Sequence, residues 1–255
     1  MSKVVFITGA SSGIGRATAL ACAKAGFKVA GTGRRQAKLD QLVQEIQPLA
    51  GDFLALVGDV SNSDDMQEAV AQTLERFGRI DVLVANAGVG HRGALVDSEW
   101  DEMETLLRTN MDGVLHSIRA CVPPMREAGQ GHVIIISSVA STLVSPYAAI
   151  YAASKAFVHS ISRSLRIELE NDNIPVTEFI IGRTETEFNE KRLGEGARKP
   201  SSLPTMHPSE VADAIIANIE RPRETVILPL FYRLIVLGNR LIPGIMGQLA
   251  KRQYR

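Results

Sequence analysis

The chain has 255 residues, of which 45% are hydrophobic and 22% are charged, and its 28 basic residues are matched by 28 acidic ones. This length can bury a sizeable core and suits one large α/β domain. A neutral total excludes the basic surface that a nucleic-acid-binding protein carries throughout, so we expect no nucleic-acid partner.

The cysteines and histidines point away from metal and disulfide chemistry. Cys22 and Cys121 lie in apolar helical patterns, without the spacing of metal ligands or of a redox pair. The five histidines are scattered and form no grouping that is typical of a zinc site. The first eight residues lack the long apolar stretch of a signal peptide. We therefore expect a cytoplasmic protein without a metal site.

Strands and helices alternate along the whole chain. Seven short apolar runs indicate buried strands at residues 4–8, 28–32, 53–57, 81–85, 132–137, 175–180 and 225–228. Helical periods lie between them at about 14–25, 36–47, 63–77, 100–127, 150–171 and 208–219. Because parallel crossovers place helices on both faces of a sheet, this order predicts a doubly wound, seven-stranded parallel sheet in a single domain.

Chemically distinctive segments follow six of these strands. In chain order they are residues 9–15, 33–35, 59–60, 86–88, Ser138 and 181–182. Parallel sheets of this kind bind ligands at the carboxyl ends of their strands, near the switch in strand order. We therefore expect these segments to meet at one ligand-binding edge.

The glycines after the first strand indicate a site for a pyrophosphate. Gly9, Gly13 and Gly15 would permit a tight turn, a close backbone approach to an anion and close packing of the following helix. The spacing is G-x-x-x-G-x-G. A P-loop is excluded, because Gly15 is followed by Arg16 and Ala17 in place of the lysine and hydroxyl residue that hold phosphate and magnesium.

A tyrosine and a lysine supply candidate acid–base chemistry. Tyr151 and Lys155 are four residues apart in a predicted helix and would share one face of it. A nearby ammonium favours the phenolate, so the tyrosine could act as an acid or base closer to neutral pH. Ser138 precedes Tyr151 by 13 residues, at the end of the fifth strand, and could bind a substrate oxygen; Ser137 is the weaker candidate.

These motifs together resemble the short-chain dehydrogenase/reductase family, over roughly residues 3 to 230. The resemblance rests on Thr8-Gly9-x-x-x-Gly13-x-Gly15, Asp59, Asn86-Ala87-Gly88, Asn110, Ser138 and Tyr151-x-x-x-Lys155, in the order and spacing of the family. It implies a Rossmann-type domain that binds NAD or NADP and interconverts a carbonyl and an alcohol.

The resemblance also implies the role of each catalytic residue. Tyr151 would be the general acid or base, and Lys155 would lower its pKa and bind the nicotinamide ribose. Ser138 would orient the carbonyl, and Asn110 would support a water leading to Lys155. The implied cofactor-binding residues are Gly9, Ser11, Ser12, Gly13, Ile14, Gly15, Arg34, Arg35, Asp59, Val60, Asn86, Ala87, Gly88, Tyr151, Lys155, Gly182, Thr184 and Thr186.

Two arginines favour NADP over NAD. An acidic residue about 20 positions after the glycines normally holds the ribose hydroxyls of NAD, but here Arg34 and Arg35 follow Gly33, and no carboxylate occurs before Asp40. Arginine grips phosphate through its planar fork. The alternative is that both arginines begin a solvated helix. Ser12 also departs from the basic residue that some NADP-preferring members carry within the glycine loop.

The sixth strand departs from the family. Ile181-Gly182 stands where Pro-Gly is usual, so the backbone near the nicotinamide would lack the fixed φ of proline. Thr186 stands at the expected distance to contact the carboxamide. This departure weakens the assignment of Thr186 more than that of Tyr151.

The last part of the chain is basic and apolar. Residues 221–255 carry seven basic side chains and one acidic one, and residues 231–255 form an amphipathic extension to the domain of residues 1–230. This extension could lie on an anionic membrane surface, or pack over the cleft or at a subunit interface.

Residues 183–207 would cover a substrate, which the apolar tail suggests is lipophilic. The family implies a homodimer or homotetramer; a catalytically silent NADP(H)-binding or scaffold protein is the alternative function.

Overall fold

The fold is built on one parallel sheet. A computed structural model of the protein describes residues 2–196 and 204–254, with side chains described as far as residue 248. The strands are β1 (Val4–Ile7), β2 (Lys28–Gly33), β3 (Asp52–Val57), β4 (Val82–Ala85), β5 (Val133–Ser138), β6 (Val176–Ile181) and β7 (Thr225–Leu228). Their order in the sheet is β3-β2-β1-β4-β5-β6-β7, and every pairing is parallel.

Helices cover both faces of this sheet. They are α1 (Gly13–Lys24), α2 (Gln36–Ile46), α3 (Ser63–Phe77), α4 (Trp100–Leu107), α5 (Gly113–Glu127), α6 (Ala149–Glu168), α7 (Pro208–Glu220), α8 (Tyr232–Leu241) and α9 (Pro243–Tyr254). One apolar cluster packs α3, α5 and α6 on one face, and a second packs α1, α2 and α7 on the other. The predicted doubly wound, Rossmann-type architecture is confirmed.

The strand order sets the position of the site. The chain passes from β1 outward to β2 and β3, then returns to place β4 on the other side of β1. Crossovers on the two sides of this switch leave a crevice at the carboxyl ends of β1 and β4. The glycine loop and residues 86–88 both begin at this crevice, as the sequence predicts.

The predicted helix at 100–127 is helical along its whole length, but it is not one regular α-helix. Residues Arg108–Asp112 form a π-helical turn between α4 and α5. Such turns are rare and often mark functional positions. The wider turn contains Asn110, whose amide is fully buried and bonded to the loop after β4. A tertiary contact thus replaces the regular helical register that the sequence pattern indicates.

The basic tail folds as α8 and α9. Tyr232 is buried at the start of α8, and the side-chain amide of Asn239 donates to the carbonyl oxygen of Thr142. Among residues 2–196 and 204–254, no helix combines the length and the apolar character needed to span a membrane. Of the predicted substrate cover at 183–207, residues 197–203 lie outside the described part of the chain.

Candidate active site

The loop between β1 and α1 has the backbone geometry that an anion site requires. Gly9 and Gly13 have φ values of +69° and +55°, in the left-handed region that favours glycine. A Cβ on Gly15 would lie 2.6 Å from Nδ2 of Asn86 and nearer still to the carbonyl oxygen of Gly9. The start of α1 carries no acidic residue, and the side chain of Ser12 caps no helix amide in the described structure. The first helical amides are thus oriented to attract an anion.

Thr8 ties this loop to the end of β4, which is a role that the sequence analysis missed. Its Oγ1 accepts hydrogen bonds from the main-chain N–H groups of Asn86 and Ala87, at 3.0 and 3.1 Å. In return, Nδ2 of Asn86 donates to the carbonyl oxygen of Thr8 at 2.9 Å. The threonine at the first position of the glycine motif was the available signal. These bonds fix the two predicted cofactor segments across the switch point.

The two predicted phosphate-binding arginines are each paired with an acid. Nη1 of Arg34 lies 3.5 Å from Oδ2 of Asp59, and Nη1 of Arg35 lies 3.3 Å from Oε2 of Glu187. Burial raises the pKa of Asp59, but hydrogen bonds from Ser61 and the charge of Arg34 outweigh it, so the pKa lies below its usual value. Both arginines remain substantially exposed, so either guanidinium is accessible to a further anion.

Two other predicted residues near this end have packing roles. The side chain of Ser11 is buried, and a Cβ on Gly33 would lie 3.1 Å from its Cβ and Oγ. Val60 is buried in the core, and a Cβ on Gly113 would lie 2.6 Å from its Cγ2. Its carbonyl oxygen is 2.9 Å from Nδ1 of His116. The role of Val60 in binding the cofactor stays a prediction.

Tyr151 and Lys155 lie on one face of α6, next to the loop after β4. Lys155 is only 4% exposed, and its Nζ donates to the carbonyl oxygen of Ile136 at 3.0 Å. A Cβ on Gly88 would lie 3.7 Å from this Nζ and 3.2 Å from Oδ1 of Asn110. Burial lowers the pKa of Lys155 to about 8, against the opposing effect of the Glu178 charge. A side chain at position 88 would therefore press on Asn110 and lie in ordinary contact with Lys155.

Asn110 and Ser154 connect the tyrosine to the loop after β4. Oδ1 of Asn110 accepts from the N–H of Val89 at 2.8 Å, and its Nδ2 donates to the carbonyl oxygen of Val89 and to Oγ of Ser154, each at 3.0 Å. Ser154 Oγ in turn donates to the carbonyl oxygen of Tyr151 at 2.8 Å. The sequence analysis missed Ser154, whose signal was its position directly before Lys155. The role of Asn110 in supporting a water stays a prediction.

Ser138 ends β5, where the sequence places it. Its Oγ accepts from the N–H of Ala140 at 3.2 Å, which leaves its hydroxyl proton available to donate. Ser137 is buried, and its Oγ has no hydrogen-bond partner among the described residues. Ser138 therefore combines a fixed position with a free donor.

The comparisons with known proteins identify the family. Residues 3–195 match the model of the short chain dehydrogenase family. The chain belongs to this family. It is 34% identical, over 221 residues, to an uncharacterized oxidoreductase of Staphylococcus saprophyticus, covering 86% of this chain and 92% of that protein.

Two solved structures of short-chain dehydrogenases are close in fold. One is an alcohol dehydrogenase from the archaeon Thermococcus sibiricus complexed with 5-hydroxy-NADP: TM-score 0.81, 30% identity, covering 89% of this chain and 96% of that one. The other is a short-chain dehydrogenase/reductase from Burkholderia phymatum in complex with NAD. Its TM-score is 0.86 and its identity 25%, and the match covers 94% of this chain and 93% of that one. Oxidoreductases of this family use NAD or NADP, and the two neighbours contain one of each kind.

The segment after β6 begins with Ile181-Gly182, where the resemblance leads one to expect Pro-Gly. Gly182 lies against the tail, since a Cβ there would be 2.7 Å from Cδ2 of Tyr232 and nearer still to Cε2. Thr184 is buried, and its Oγ1 has no partner among the described residues. Thr186 lies over the glycine loop, with its Cγ2 3.2 Å from a Cβ position on Gly13. The segment therefore runs from the end of β6 to the glycine loop.

Phe188 extends this cover over Tyr151, the predicted catalytic tyrosine. Its ring centroid is 5.8 Å from that of Tyr151, with the two ring planes tilted by 60°. A Cβ on Gly90 would lie 2.9 Å from Cε1 of the same ring. An aromatic group thus lies between the two loops that would border a substrate.

Proposed function

We propose that this protein is an NADP(H)-dependent oxidoreductase that interconverts a carbonyl and a secondary alcohol, with Tyr151 as the general acid or base. The observation that carries the proposal is the buried Lys155, one helical turn from Tyr151, beside Gly88 and Asn110. Groups with perturbed pKa values cluster at catalytic sites. Burying a lysine ammonium costs folding free energy, and a protein that only bound a nucleotide would have no need of it.

The residues at the crevice fit a dinucleotide. Gly9 and Gly13 adopt conformations that other residues rarely take, and Gly15 leaves no room for a side chain between the loop and Asn86. These features bring main-chain amides close to a pyrophosphate at the start of α1. When bound, the nicotinamide supplies or accepts the hydride.

The proton is handled by the chain's own residues. Tyr151 would donate a proton to the substrate oxygen in reduction and remove it in oxidation. The ammonium of Lys155 would stabilise the phenolate. Ser138 would donate a hydrogen bond to the same oxygen, and the bonds of Asn110 and Ser154 would keep α6 in register with the loop after β4.

The preference for NADP rests on charge. Arg34 and Arg35 lie directly after β2, where an acidic residue would select NAD, and both are exposed enough to bind a 2′-phosphate. Asp59 and Glu187 would compete with the phosphate for these arginines. A doubly charged phosphate that accepts a bidentate bond is the stronger partner.

The decisive experiment is Tyr151→Phe, with Tyr232→Phe as the matched loss of a phenol elsewhere. General acid–base catalysis contributes about 100-fold or more, so Tyr151→Phe should lose at least that factor in kcat while binding NADPH nearly as well as the wild type. Turnover is followed as NADPH absorbance against aldehydes, ketones, steroids and 3-oxoacyl thioesters. Tyr232→Phe keeps the ring that packs on Gly182 and should retain activity.

The same assay separates the enzyme from a silent binder. A wild-type protein that binds NADPH but oxidises it with none of these compounds would favour the alternative of a binding or scaffold protein. Tyr151→Phe with most of its activity would remove the assigned mechanism while leaving the reaction class standing.

The exposed face of α8 supports a contact with an anionic membrane surface. Six large apolar side chains along this face and the start of α9 are 47% to 75% exposed: Leu230, Leu234, Leu237, Leu241, Ile242 and Ile245. Arg233 and Arg240 are on the same helix, within a segment of net charge plus six. Apolar side chains beside basic ones are typical of interfacial helices. A lipid surface would also be the natural source of a lipophilic substrate.

The remaining expectations concern assembly. Short-chain dehydrogenases are commonly oligomeric, and we expect a homodimer or homotetramer formed through the helices at 100–127 and 150–171. Trp100 on α4 and Ile167 on α6 are 64% and 74% exposed, which leaves apolar surface for such a contact. The division into a catalytic domain of residues 1–230 and an extension of residues 231–255 stays a prediction.

A further inference from the structure

A carboxylate is buried on the strand next to one edge of the sheet. Glu178 lies on β6, between β5 and β7, and is 1% exposed. It pairs in the ladder with Ile135 and Thr225. An ionised carboxylate in such a position is costly unless it is paired. Neither the glycine motif nor the Tyr–Lys motif accounts for its presence.

The partner of this carboxylate is a histidine on α6. Nδ1 of His159 lies 2.7 Å from Oε2 of Glu178. The His159 side chain is 31% exposed and that of Glu178 is 1% exposed, so the pair reaches solvent through the histidine. Oε1 of Glu178 has no hydrogen-bond partner among the described residues. One oxygen is therefore paired toward the surface, and the other is unpaired inside the protein.

The pair lies next to the catalytic lysine. His159 follows Lys155 by four residues, so both side chains project from one face of α6 toward the sheet. Nζ of Lys155 bonds to the carbonyl oxygen of Ile136, one residue beyond the ladder partner of Glu178. The charge of Glu178 raises the pKa of Lys155 against the effect of burial.

We propose that Glu178 and His159 are a positioning pair that keeps the buried Lys155 in its ammonium form, with His159 connecting the pair to solvent. The inference rests on the proposed function of Tyr151 and Lys155. No charged side chain on β5 faces Glu178; β7 presents Thr225, and the side chain of Glu224 pairs with Arg166 at the surface. Arg166 on α6 also reaches this strand, because its Nη2 donates to the carbonyl oxygen of Glu224, which accepts from the N–H of Glu178. Lys155, His159 and Arg166 are therefore the charged or titratable groups of α6 whose contacts reach Glu178 or its ladder neighbours in the described structure.

The sign of the effect follows from the lysine. Lys155 carries its charge at pH values below its pKa, which is about 8. Removing the Glu178 charge would lower this pKa, so the lysine would lose its proton over more of the working range. The phenolate of Tyr151 would then be less stabilised, and alcohol oxidation would need a higher pH.

Three variants test the pair. Glu178→Gln keeps the shape and removes the charge. His159→Gln keeps a hydrogen-bond donor to Glu178 without the ring. His159→Leu removes the donor and leaves the carboxylate unpaired, which disfavours its buried charge. Thermal melting shows whether each variant is folded. Two titrations are then followed in each of them.

The first titration uses the cofactor-free protein and needs no turnover. Carbon-13 NMR of labelled lysine methylenes follows Lys155, which is assigned by its loss in Lys155→Met. In Glu178→Gln and His159→Leu, the midpoint should fall by on the order of one pH unit, as expected for loss of a nearby opposite charge. His159→Gln should keep the wild-type midpoint.

The second titration is the pH profile of kcat/KM for alcohol oxidation. Its rising limb should move to higher pH in Glu178→Gln and His159→Leu, with about tenfold lower activity at pH 7 for a limb moved by one unit. An unchanged Lys155 midpoint in folded Glu178→Gln overturns the inference. If that variant does not fold, equal midpoints in His159→Leu and His159→Gln overturn it instead. A wild type without turnover contradicts the proposed function, while the NMR midpoints still decide whether the pair acts on Lys155.

Discussion

Replacing Gly15 with alanine should damage both stability and cofactor binding. A Cβ there would lie 2.6 Å from Nδ2 of Asn86 and closer to the carbonyl oxygen of Gly9, whereas real Cβ contacts stay above 3.0 Å. The loop must therefore open by at least roughly 0.4 Å at Asn86, and by more at Gly9. Both residues belong to the hydrogen-bonded junction with Thr8, so neither can move freely.

The size of the effect can be bounded. Overpacking a well-packed site costs about 1 to 3 kcal/mol, which in a domain of this length lowers Tm by roughly 2 to 12 °C. Displaced amides should also weaken NADPH binding by about tenfold or more, or at least ~1.4 kcal/mol. Thermal melting measures the first quantity, and the quenching of intrinsic fluorescence by NADPH measures the second.

Gly247→Ala is the matched control for this substitution. Gly247 is also inside a helix, and no described atom lies within 4 Å of its Cβ position. Alanine is the better helix former, so this variant should melt at or slightly above the wild-type temperature and bind NADPH normally. If Gly15→Ala behaved like the control in both assays, the close packing of the glycine loop would have no energetic consequence, and its role as a cofactor cradle would be refuted.

Two further predictions concern charge. Arg34→Ala and Arg35→Ala should each weaken NADPH by about tenfold or more and change NADH by less than about twofold, because only NADPH presents a 2′-phosphate to the guanidinium; equal losses for both cofactors in titrations would make the arginines structural. The full-length protein should co-sediment with anionic vesicles more than with neutral ones, and salt should weaken this association because exposed charges are screened beyond about 8 to 10 Å. The double variant Leu234→Ser/Leu241→Ser should lose vesicle binding, while Val96→Ser, at a 91% exposed position outside the tail segment, should keep it. A double variant that binds vesicles normally but dissociates an oligomer would assign the face to a subunit contact.

The fold was predictable because its signals are local and repeated. Each strand is a short apolar run, and each helix has its own period, so the alternation alone indicates a parallel sheet covered on both faces. The glycine trio and the Tyr–Lys pair were also predictable, since each depends on the spacing of a few residues within one loop or one helical turn. The structure brings these segments to the same edge of the sheet.

The residues that the sequence analysis missed act through contacts between distant segments. Ser154 joins Asn110 to Tyr151 across 44 residues, and Thr8 joins Asn86 across 78. The π-helical turn around Asn110 has the same origin, because its reason lies in the main chain of Val89 and not in the helix. Periodicity within one element carries no information about such pairings.

Glu178 shows a different limit. In the strand Val176–Ile181, alternation places position 178 on a buried face, while its charge would place it in solvent. The conflict is resolved only by His159, which the helical pattern presents as one more polar residue on α6. A buried charge in an apolar strand is therefore a signal that a partner exists, but the sequence does not name that partner.

The departure at Ile181-Gly182 gains a physical meaning from the tail. A proline before Gly182 would have restricted the backbone after β6 through its fixed φ. Here the ring of Tyr232 occupies the space where a side chain of residue 182 would lie, and Tyr232 is itself buried at the start of α8. Packing from the tail can thus limit the motion of the same backbone. This contact also explains why only glycine fits at 182, and it places α8 beside the segment that covers the catalytic end, with its apolar face outward.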